Sequence, residues 1–151
     1  MKMIDVGEKP KTERIAVARG FVAMAPATLA RIRRGDVEKG DVLAAARLAG
    51  IMAAKRTPDL VPLCHPIALS GVEVEATPRR GGVELVATVR TVDRTGVEME
   101  ALAAVSAGCL TVYDMLKRYE RGMRIEAVEL LQKSGGRTGD WRRPSAKRQG
   151  R

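Results

Sequence analysis

The chain has 151 residues, 45% of them hydrophobic, which suffices for one domain with a core and argues against a disordered protein. Its net charge is +9, but aromatic residues make up only 3% of the chain, which is poor material for stacking nucleic-acid bases. No apolar run reaches the roughly 20 residues of a membrane span, and the N-terminus lacks the apolar core of a signal peptide, so we expect a cytoplasmic protein without a membrane partner.

The first half of the chain predicts a strand followed by helices. Residues 13–24 alternate in polarity and are typical of a strand. Pro26 opens a short helix that ends before Gly35. Asp41 is a favourable N-cap for a second helix over residues 42–55, in which apolar side chains recur at helical spacing.

The segment 55–66 separates this helix from the rest of the chain. It contains His65, the only histidine, together with Cys64 and three of the seven prolines. Prolines at every fourth position exclude a continuing helix, so we expect a largely extended backbone that holds His65 in place. A rigid linker with a half-buried histidine is the simpler interpretation. Too few nitrogen and sulfur ligands accompany it for a zinc site, and we predict no metal and no cofactor.

The second half of the chain predicts a hairpin, a long helix and a last strand. Residues 69–77 and 83–92 alternate in polarity on either side of a turn rich in Pro and Gly. A long helix over residues 97–121 follows and is ended by Gly122, and residues 123–132 form the last strand. This element order is the split βαβ order of an α+β ferredoxin-like sandwich, an antiparallel sheet with helices on one face.

The long helix has two different faces on a helical wheel. The predicted core face is Leu102, Val105, Cys109, Tyr113 and Leu116. The opposite face combines small residues with a carboxylate near each end: Glu100, Ala103, Ala104, Ala107, Thr111 and Asp114. The two carboxylates lie about 21 Å apart along the helix, and Lys117 is within reach of the second. The small residues either let another element pack closely or leave space for a ligand or a second subunit.

Lysines and carboxylates are candidates for acid–base chemistry on an anionic small molecule. Lys39 precedes the N-cap of the second helix, where the helix dipole disfavours a cation. The glycine-rich loop 133–139 offers backbone N–H groups together with Lys133 and Arg137, which suits phosphate groups. The candidates are Lys39, Lys55, Arg56, His65, Glu98, Glu100, Asp114, Lys117 and Lys133.

Several short motifs occur in one order along the chain. They are Lys39-Gly40-Asp41-Val42, Ala54-Lys55-Arg56-Thr57, Leu63-Cys64-His65-Pro66, Thr95-Gly96-Val97-Glu98-Met99-Glu100-Ala101-Leu102, Tyr113-Asp114-Met115 with Lys117, and Lys133-Ser134-Gly135-Gly136. From about residue 4 to residue 140, this series resembles the cyclic pyranopterin monophosphate synthase family, the accessory protein C family of molybdenum cofactor biosynthesis.

The resemblance implies a lyase whose substrate is (8S)-3′,8-cyclo-7,8-dihydroguanosine 5′-triphosphate, the cyclised nucleotide made by a preceding radical enzyme. This compound is rearranged to cyclic pyranopterin monophosphate, and pyrophosphate is released. The resemblance also implies a ferredoxin-like fold and homo-oligomers that are hexamers built as trimers of dimers. The active site is then expected at a subunit interface.

The same resemblance assigns roles to residues. Asp114 is implied as the catalytic carboxylate, with Lys39 and Lys117 as acid–base groups, and Lys133 and Arg56 as phosphate ligands. The implied substrate-binding residues are Lys55, Arg56, Leu63, Cys64, His65, Glu98, Met99, Glu100 and Lys133. The chain departs from the family pattern at Pro58, Arg137 and Thr138 and in its Arg-rich end, and none of these positions is an implied catalytic residue.

The C-terminal end carries most of the net positive charge. Residues 133–151 contain seven Lys or Arg and one Asp, a net charge of +6. We predict a flexible arm over residues 1–12, a single catalytic domain over 13–140 and a basic, disordered tail over 141–151. We expect no specific nucleic-acid partner. The alternative functions are a nucleotide- or RNA-binding protein without catalysis, or an oligomer that senses a nucleotide.

Overall fold

An antiparallel sheet and two long helices dominate the part of the chain that the computed structural model describes, residues 1–145. The strands are β1 (Thr12–Ala23), β2 (Leu69–Arg79), β3 (Gly82–Asp93), β4 (Arg124–Ser134) and β5 (Trp141–Arg142). The helices are α1 (Pro26–Arg34), α2 (Val42–Lys55), α3 (Thr57–Leu60) and α4 (Glu98–Leu116). The strand order is β2-β3-β1-β4-β5, and its first four strands confirm the predicted ferredoxin-like α+β fold.

The core lies between the sheet and the helix layer made by α2 and α4. The core-facing residues of β1 are small: Ala16, Ala18 and Val22 are fully buried. Val17 and Phe21 lie on the other face of the strand and are half-buried. The reason is the close approach of α4: a Cβ on Gly20 would lie only 2.8 Å from Cys109 Sγ. The strand was predicted, but only the packing shows which of its faces is buried.

Small residues also let α2 and α4 pack against each other. A Cβ on Gly50 of α2 would lie 3.0 Å from the carbonyl oxygen of Ala104, and a Cβ on Gly108 would lie 3.3 Å from that of Ala46. Ala104 is therefore part of a helix–helix contact within the chain and not of an open groove. Ala103, Ala107 and Thr111 remain half-buried.

The predicted core face of α4 is confirmed only in part. Val105, Cys109 and Leu116 are fully buried. Leu102 and Tyr113 are partly buried and pack at the margin of the core. The face is displaced because α4 contacts both the sheet and α2, so a single hydrophobic stripe does not describe its environment.

Helix α4 has the length and composition of a membrane span, with a mean hydropathy of 1.3 over the best window. Half of that window is buried inside the domain, against the sheet and α2. Such burial is what a core helix of a globular domain requires, so the apolar character of α4 is explained by packing.

The proline segment is not largely extended, as the sequence predicted, because Thr57–Leu60 form the one-turn helix α3. Pro58 lies in its first turn, where the missing N–H is not needed. Thr57 is fully buried, and its hydroxyl donates to the carbonyl oxygens of Ala53 (3.1 Å) and Ala54 (3.0 Å). The predicted break in α2 is present, at Arg56.

Helix α4 ends at Leu116 and not near Arg121 as predicted. Side chains beyond its end bind backbone N–H groups of other elements. Glu120 accepts from the N–H of Ala25 (3.0 Å), and the Tyr119 hydroxyl accepts from the N–H of Glu38 (3.0 Å). These long-range contacts stop the helix before Gly122.

Strand β5 belongs to the sheet, although the sequence predicts a tail from residue 141. Trp141 pairs with Lys133 and Arg142 with Gln132, and the N–H of Arg143 donates to the carbonyl oxygen of Leu131 (2.8 Å). The remaining part of the predicted tail, residues 146–151, lies outside the described residues.

Candidate active site

Asp114, Lys39 and Lys117 form one group of charged side chains at the C-terminal end of α4, the Asp114 cluster. Lys39 Nζ lies 2.6 Å from Asp114 Oδ2 and 3.2 Å from its carbonyl oxygen. Lys117 Nζ lies 2.8 Å from Asp114 Oδ1. All three side chains are about half exposed. The structure thus brings together the three residues for which the sequence implied a catalytic role.

Hydrogen bonds from Lys117 and then Lys39 lower the pKa of Asp114 to about 2. The Asp114 carboxylate in turn raises the pKa of Lys117. At neutral pH the cluster therefore contains an ionised carboxylate and a protonated Lys117. An ammonium group held by a fixed carboxylate can donate a proton or stabilise developing negative charge.

Local structure explains why Lys39 reaches Asp114. Gly40 has a φ of 103°, in the left-handed region, so the turn before α2 reverses sharply there. Asp41 caps α2 as predicted, because its Oδ1 accepts from the N–H of Ala44 (2.9 Å). Lys117 lies three residues after Asp114, which places it on the same side of α4.

Cys64 and Glu100 lie at the other end of α4 and form the Glu100 cluster, and His65 follows Cys64 on the same loop. Glu100 is only 1% exposed, and its Oε1 accepts from Cys64 Sγ at 3.5 Å. Its Oε2 is buried and has no hydrogen-bond partner within residues 1–145. The loop that carries Cys64 and His65 follows α3 and closes over this carboxyl group.

Burial raises the pKa of Glu100, and burial together with the Glu100 charge raises the pKa of Cys64 to about 11. Cys64 is therefore a neutral thiol at neutral pH and a poor nucleophile. Burial disfavours the ionised form of Glu100, so its raised pKa makes it a better proton donor than an exposed glutamate.

Lys133 connects the glycine-rich loop to the N-terminal end of α4. Its Nζ lies 4.0 Å from Glu98 Oε1 and donates to the hydroxyl of Thr138. The Lys133 side chain is 17% exposed, so it is better shielded from solvent than the lysines of the Asp114 cluster. The strand pairing of β4 with β1 brings this loop to the N-terminal end of α4.

The sequence analysis missed Arg14, which lies under the glycine-rich loop. Its Nε donates to the carbonyl oxygen of Asp93 (3.1 Å), and its Nη2 donates to that of Arg94 (3.2 Å). A side chain on Gly136 would overlap the Arg14 guanidinium. A cavity of about 300 Å³ adjoins these groups, lined by Lys9, Pro10, Thr12, Arg14, Gly136, Arg137 and Thr138. No sequence signal marks Arg14, because only the β1–β4 register places it there.

Other predicted site residues are distributed around the Glu100 end or lie apart from it. Leu63 and Met99 are 45% and 40% exposed. Arg56 is exposed where α2 ends. Lys55 lines a separate cavity of about 350 Å³ with Ile51, Ile67 and residues 69–72. Within residues 1–145, no three His, Cys, Asp or Glu side chains lie together as a set that could hold a metal ion.

The two clusters do not meet within one chain. They occupy opposite ends of α4, and Glu100 and Asp114 are about 21 Å apart along the helix axis. Each cluster is open to solvent on one side, through the exposed lysines at one end and through Leu63 and Met99 at the other. The two ends of α4 therefore form two separate candidate sites within one chain.

The fold and the two clusters define a small ferredoxin-like protein that carries acid–base groups at both ends of one core helix. A model of the MoaC family matches residues 3–136. The chain is 58% identical to the cyclic pyranopterin monophosphate synthase of Thermomicrobium roseum over 144 residues, which cover 94% of this chain and 87% of the relative. The chain belongs to the MoaC family, which confirms the resemblance.

Two further relatives carry the same name. The cyclic pyranopterin monophosphate synthase of a Methylobacterium species is 60% identical over 141 residues, which cover 92% of this chain and 88% of the relative. That of a Roseiflexus species is 59% identical over 142 residues, which cover 93% of this chain and 90% of the relative. The matches include the residues of both clusters, since they extend over almost the whole domain.

Proposed function

We propose that the chain converts (8S)-3′,8-cyclo-7,8-dihydroguanosine 5′-triphosphate to cyclic pyranopterin monophosphate and pyrophosphate, a lyase reaction of molybdenum cofactor biosynthesis. The observation that carries this proposal is the Asp114 cluster, one ionised carboxylate held between two lysines in a chain about 60% identical to synthases of that name. We further propose that the protein acts in the cytoplasm.

The Asp114 cluster supplies the proton transfers in this proposal. Ring opening and rearrangement of the substrate move protons among nitrogen and oxygen atoms, and each transfer needs an acid or base at hydrogen-bond distance. Lys117 is protonated and exposed, so it is an available acid. Asp114 holds Lys39 and Lys117 in a fixed orientation and balances their charge.

The Glu100 end holds the rest of the substrate in this proposal. Lys133 and Arg14 provide positive charge beside the glycine-rich loop, which suits a triphosphate and the pyrophosphate that leaves. Glu100, when protonated, offers a hydrogen-bond donor without repelling the phosphates. A protein that only binds RNA or a nucleotide gives no reason for carboxylates at both ends of the site, since these repel phosphate.

We propose that a second copy of the chain completes the site. Ala107 lies midway between Glu100 and Asp114 on α4, and its half-buried neighbours on the outer face are small. Both helices of this layer also have exposed apolar side chains, Leu110 (61%) on α4 and Leu48 (59%) and Met52 (47%) on α2. A two-fold axis near Ala107 would place the Glu100 end of each copy beside the Asp114 end of the other. Three such dimers would form the hexamer that the resemblance implies.

The test is to follow pyrophosphate release and pterin formation together, with the cyclised nucleotide generated in the assay. We expect both signals with the native protein and neither with Lys117→Ala. A correctly folded native oligomer that produces neither signal would contradict the proposed reaction. Nucleotide binding without turnover would then favour the sensor function.

A further inference from the structure

The connection that follows α4, residues 117–123, contacts the turn that carries Lys39. The N–H of Glu38 donates to the Tyr119 hydroxyl at 3.0 Å. The guanidinium of Arg31 lies 4.4 Å from the centroid of the Tyr119 ring and donates to Asp36 Oδ2 at 2.7 Å. Arg118 forms an ion pair with Glu38. The Tyr119 hydroxyl therefore contacts this turn directly, and the Tyr119 ring contacts Arg31, which is paired with Asp36 of the turn.

The Tyr119 contact adds to others that hold this turn, since the N–H groups of Asp36 and Gly40 donate to the carbonyl oxygens of Arg31 and Val37, each at 2.9 Å. Its ends are Gly35 and Gly40, with φ values of 69° and 103° in the left-handed region, where glycine adds backbone freedom. Val37 is buried and anchors one side of the turn to the core. Glu38 and Lys39 are exposed, and the backbone contact of Glu38 with Tyr119 lies one residue before Lys39.

We propose that Tyr119 is a positioning residue for the Asp114 cluster: its hydroxyl fixes the backbone at Glu38 so that Lys39 reaches Asp114. A lysine side chain has several rotatable bonds, so the 2.6 Å contact between Lys39 and Asp114 depends on where the backbone of Lys39 begins. Tyr119 thus links the connection that begins at Lys117 to the turn that carries Lys39. The kinetic part of this inference rests on the proposed function.

The experiment compares Tyr119→Phe with Glu120→Ala. Tyr119→Phe keeps the ring that packs on the core and under Arg31 and removes only the acceptor for Glu38. Glu120→Ala is the matched control, because Glu120 belongs to the same connection but accepts from the N–H of Ala25, away from the Lys39 turn. Both variants remove a contact between a side chain and a backbone N–H, so they should lower the melting temperature by similar amounts.

Two measurements separate positioning from a merely structural role. We expect Tyr119→Phe to lower kcat by about 3- to 10-fold, the loss that one hydrogen bond explains, with little change in KM. We also expect the pKa of Asp114, followed by NMR of the side-chain carboxyl carbon, to rise from its value of about 2 because Lys39 is held less firmly. Glu120→Ala should change neither quantity.

The inference is overturned if Tyr119→Phe leaves kcat and the pKa of Asp114 at their native values, or if Glu120→Ala changes them equally. The NMR measurement requires no turnover. If the native protein has no synthase activity, the titration of Asp114 still tests the role of Tyr119 and separates its failure from failure of the proposed reaction.

Discussion

The carboxyl groups at the two ends of α4 lie in opposite environments. Asp114 is half exposed, and both of its oxygens contact lysines. Glu100 is buried, with one oxygen bound to a neutral thiol and the other unpartnered in the described residues. The pKa of Asp114 is lowered to about 2 by its lysines, whereas burial raises the pKa of Glu100. One fold thus provides two carboxyl groups whose pKa values are shifted in opposite directions.

This difference has a consequence for stability. Exposed ion pairs contribute little to folding, so the Asp114 cluster can be altered with little effect on the fold. A buried carboxyl group with an unpartnered oxygen lowers the free energy of unfolding. Packing alone gives no reason for such a destabilising group, whereas a role in a functional site does.

The largest expected effect is that of Asp114→Ala. We expect turnover to fall by about 1000-fold, because a carboxylate that orients two acid–base groups is lost. The melting temperature should stay close to that of the native protein. Pyrophosphate release and thermal unfolding measure the two quantities, and a variant with full activity would remove Asp114 from the mechanism.

At the other end of α4, Glu100→Gln should lower the activity and raise the stability of the protein. We expect about a 100-fold loss of turnover, because the amide cannot transfer a proton. We also expect a gain of about 1 kcal/mol in the free energy of unfolding at neutral pH, because the amide carries no charge and so avoids the cost of ionising a buried carboxyl group. Urea denaturation measures this gain. Glu98→Gln, a change at a more exposed carboxylate, is the control and should show no such gain; a less stable Glu100→Gln protein would contradict the account.

Gly136→Ala should weaken substrate binding more than turnover. Gly136 has a φ of 81°, and a Cβ there would displace the Arg14 guanidinium. We expect KM to rise by about 10-fold, the loss of one charge-assisted contact, with a smaller change in kcat. Gly139→Ala is the matched control, since its φ is 65° but no atom lies within 4 Å of the added Cβ. Equal effects of the two variants would assign the loss to backbone strain.

The smallest expected effect is the dependence of stability on pH. The pKa of Asp114 is lower in the folded chain, so its stabilising contribution is present above pH of about 4 and is lost as pH falls toward 2. The pKa of Glu100 is raised, so stability should decline as pH rises above about 4 through its folded pKa. Asp114→Asn should flatten the first slope and Glu100→Gln the second. Unchanged slopes in both variants would contradict these pKa directions.

Local signals in the sequence predicted most of the fold. Alternation marked the strands, and Pro26, Gly35 and Asp41 marked helix boundaries that the structure confirms. The end of α4 was placed too late because the contacts of Tyr119 and Glu120 are with residues far away in sequence. Helix α3 was missed because three prolines suggested an extended chain, although a proline fits the first turn of a helix.

The sequence predicted residues of the candidate site only where they belong to short motifs. Lys117 follows Asp114 by three residues at the end of α4, so their contact could be predicted from the spacing. The contact of Cys64 with Glu100 and the position of Arg14 depend on loop packing and on strand register, which no local pattern encodes. The pKa directions likewise depend on burial, which is a property of the folded chain.

Complementation between inactive variants tests most directly whether the site is shared by two copies. Asp114→Ala and Glu100→Gln chains are mixed, allowed to exchange subunits and assayed for pyrophosphate release. We expect recovery of about a quarter of native activity for random pairing, because half of the dimers are mixed and each has one intact site. The control mixture, Asp114→Ala with Lys117→Ala, should recover none. Mixed oligomers of Asp114→Ala and Glu100→Gln that stay inactive would contradict a site formed from the two ends of α4 in different copies.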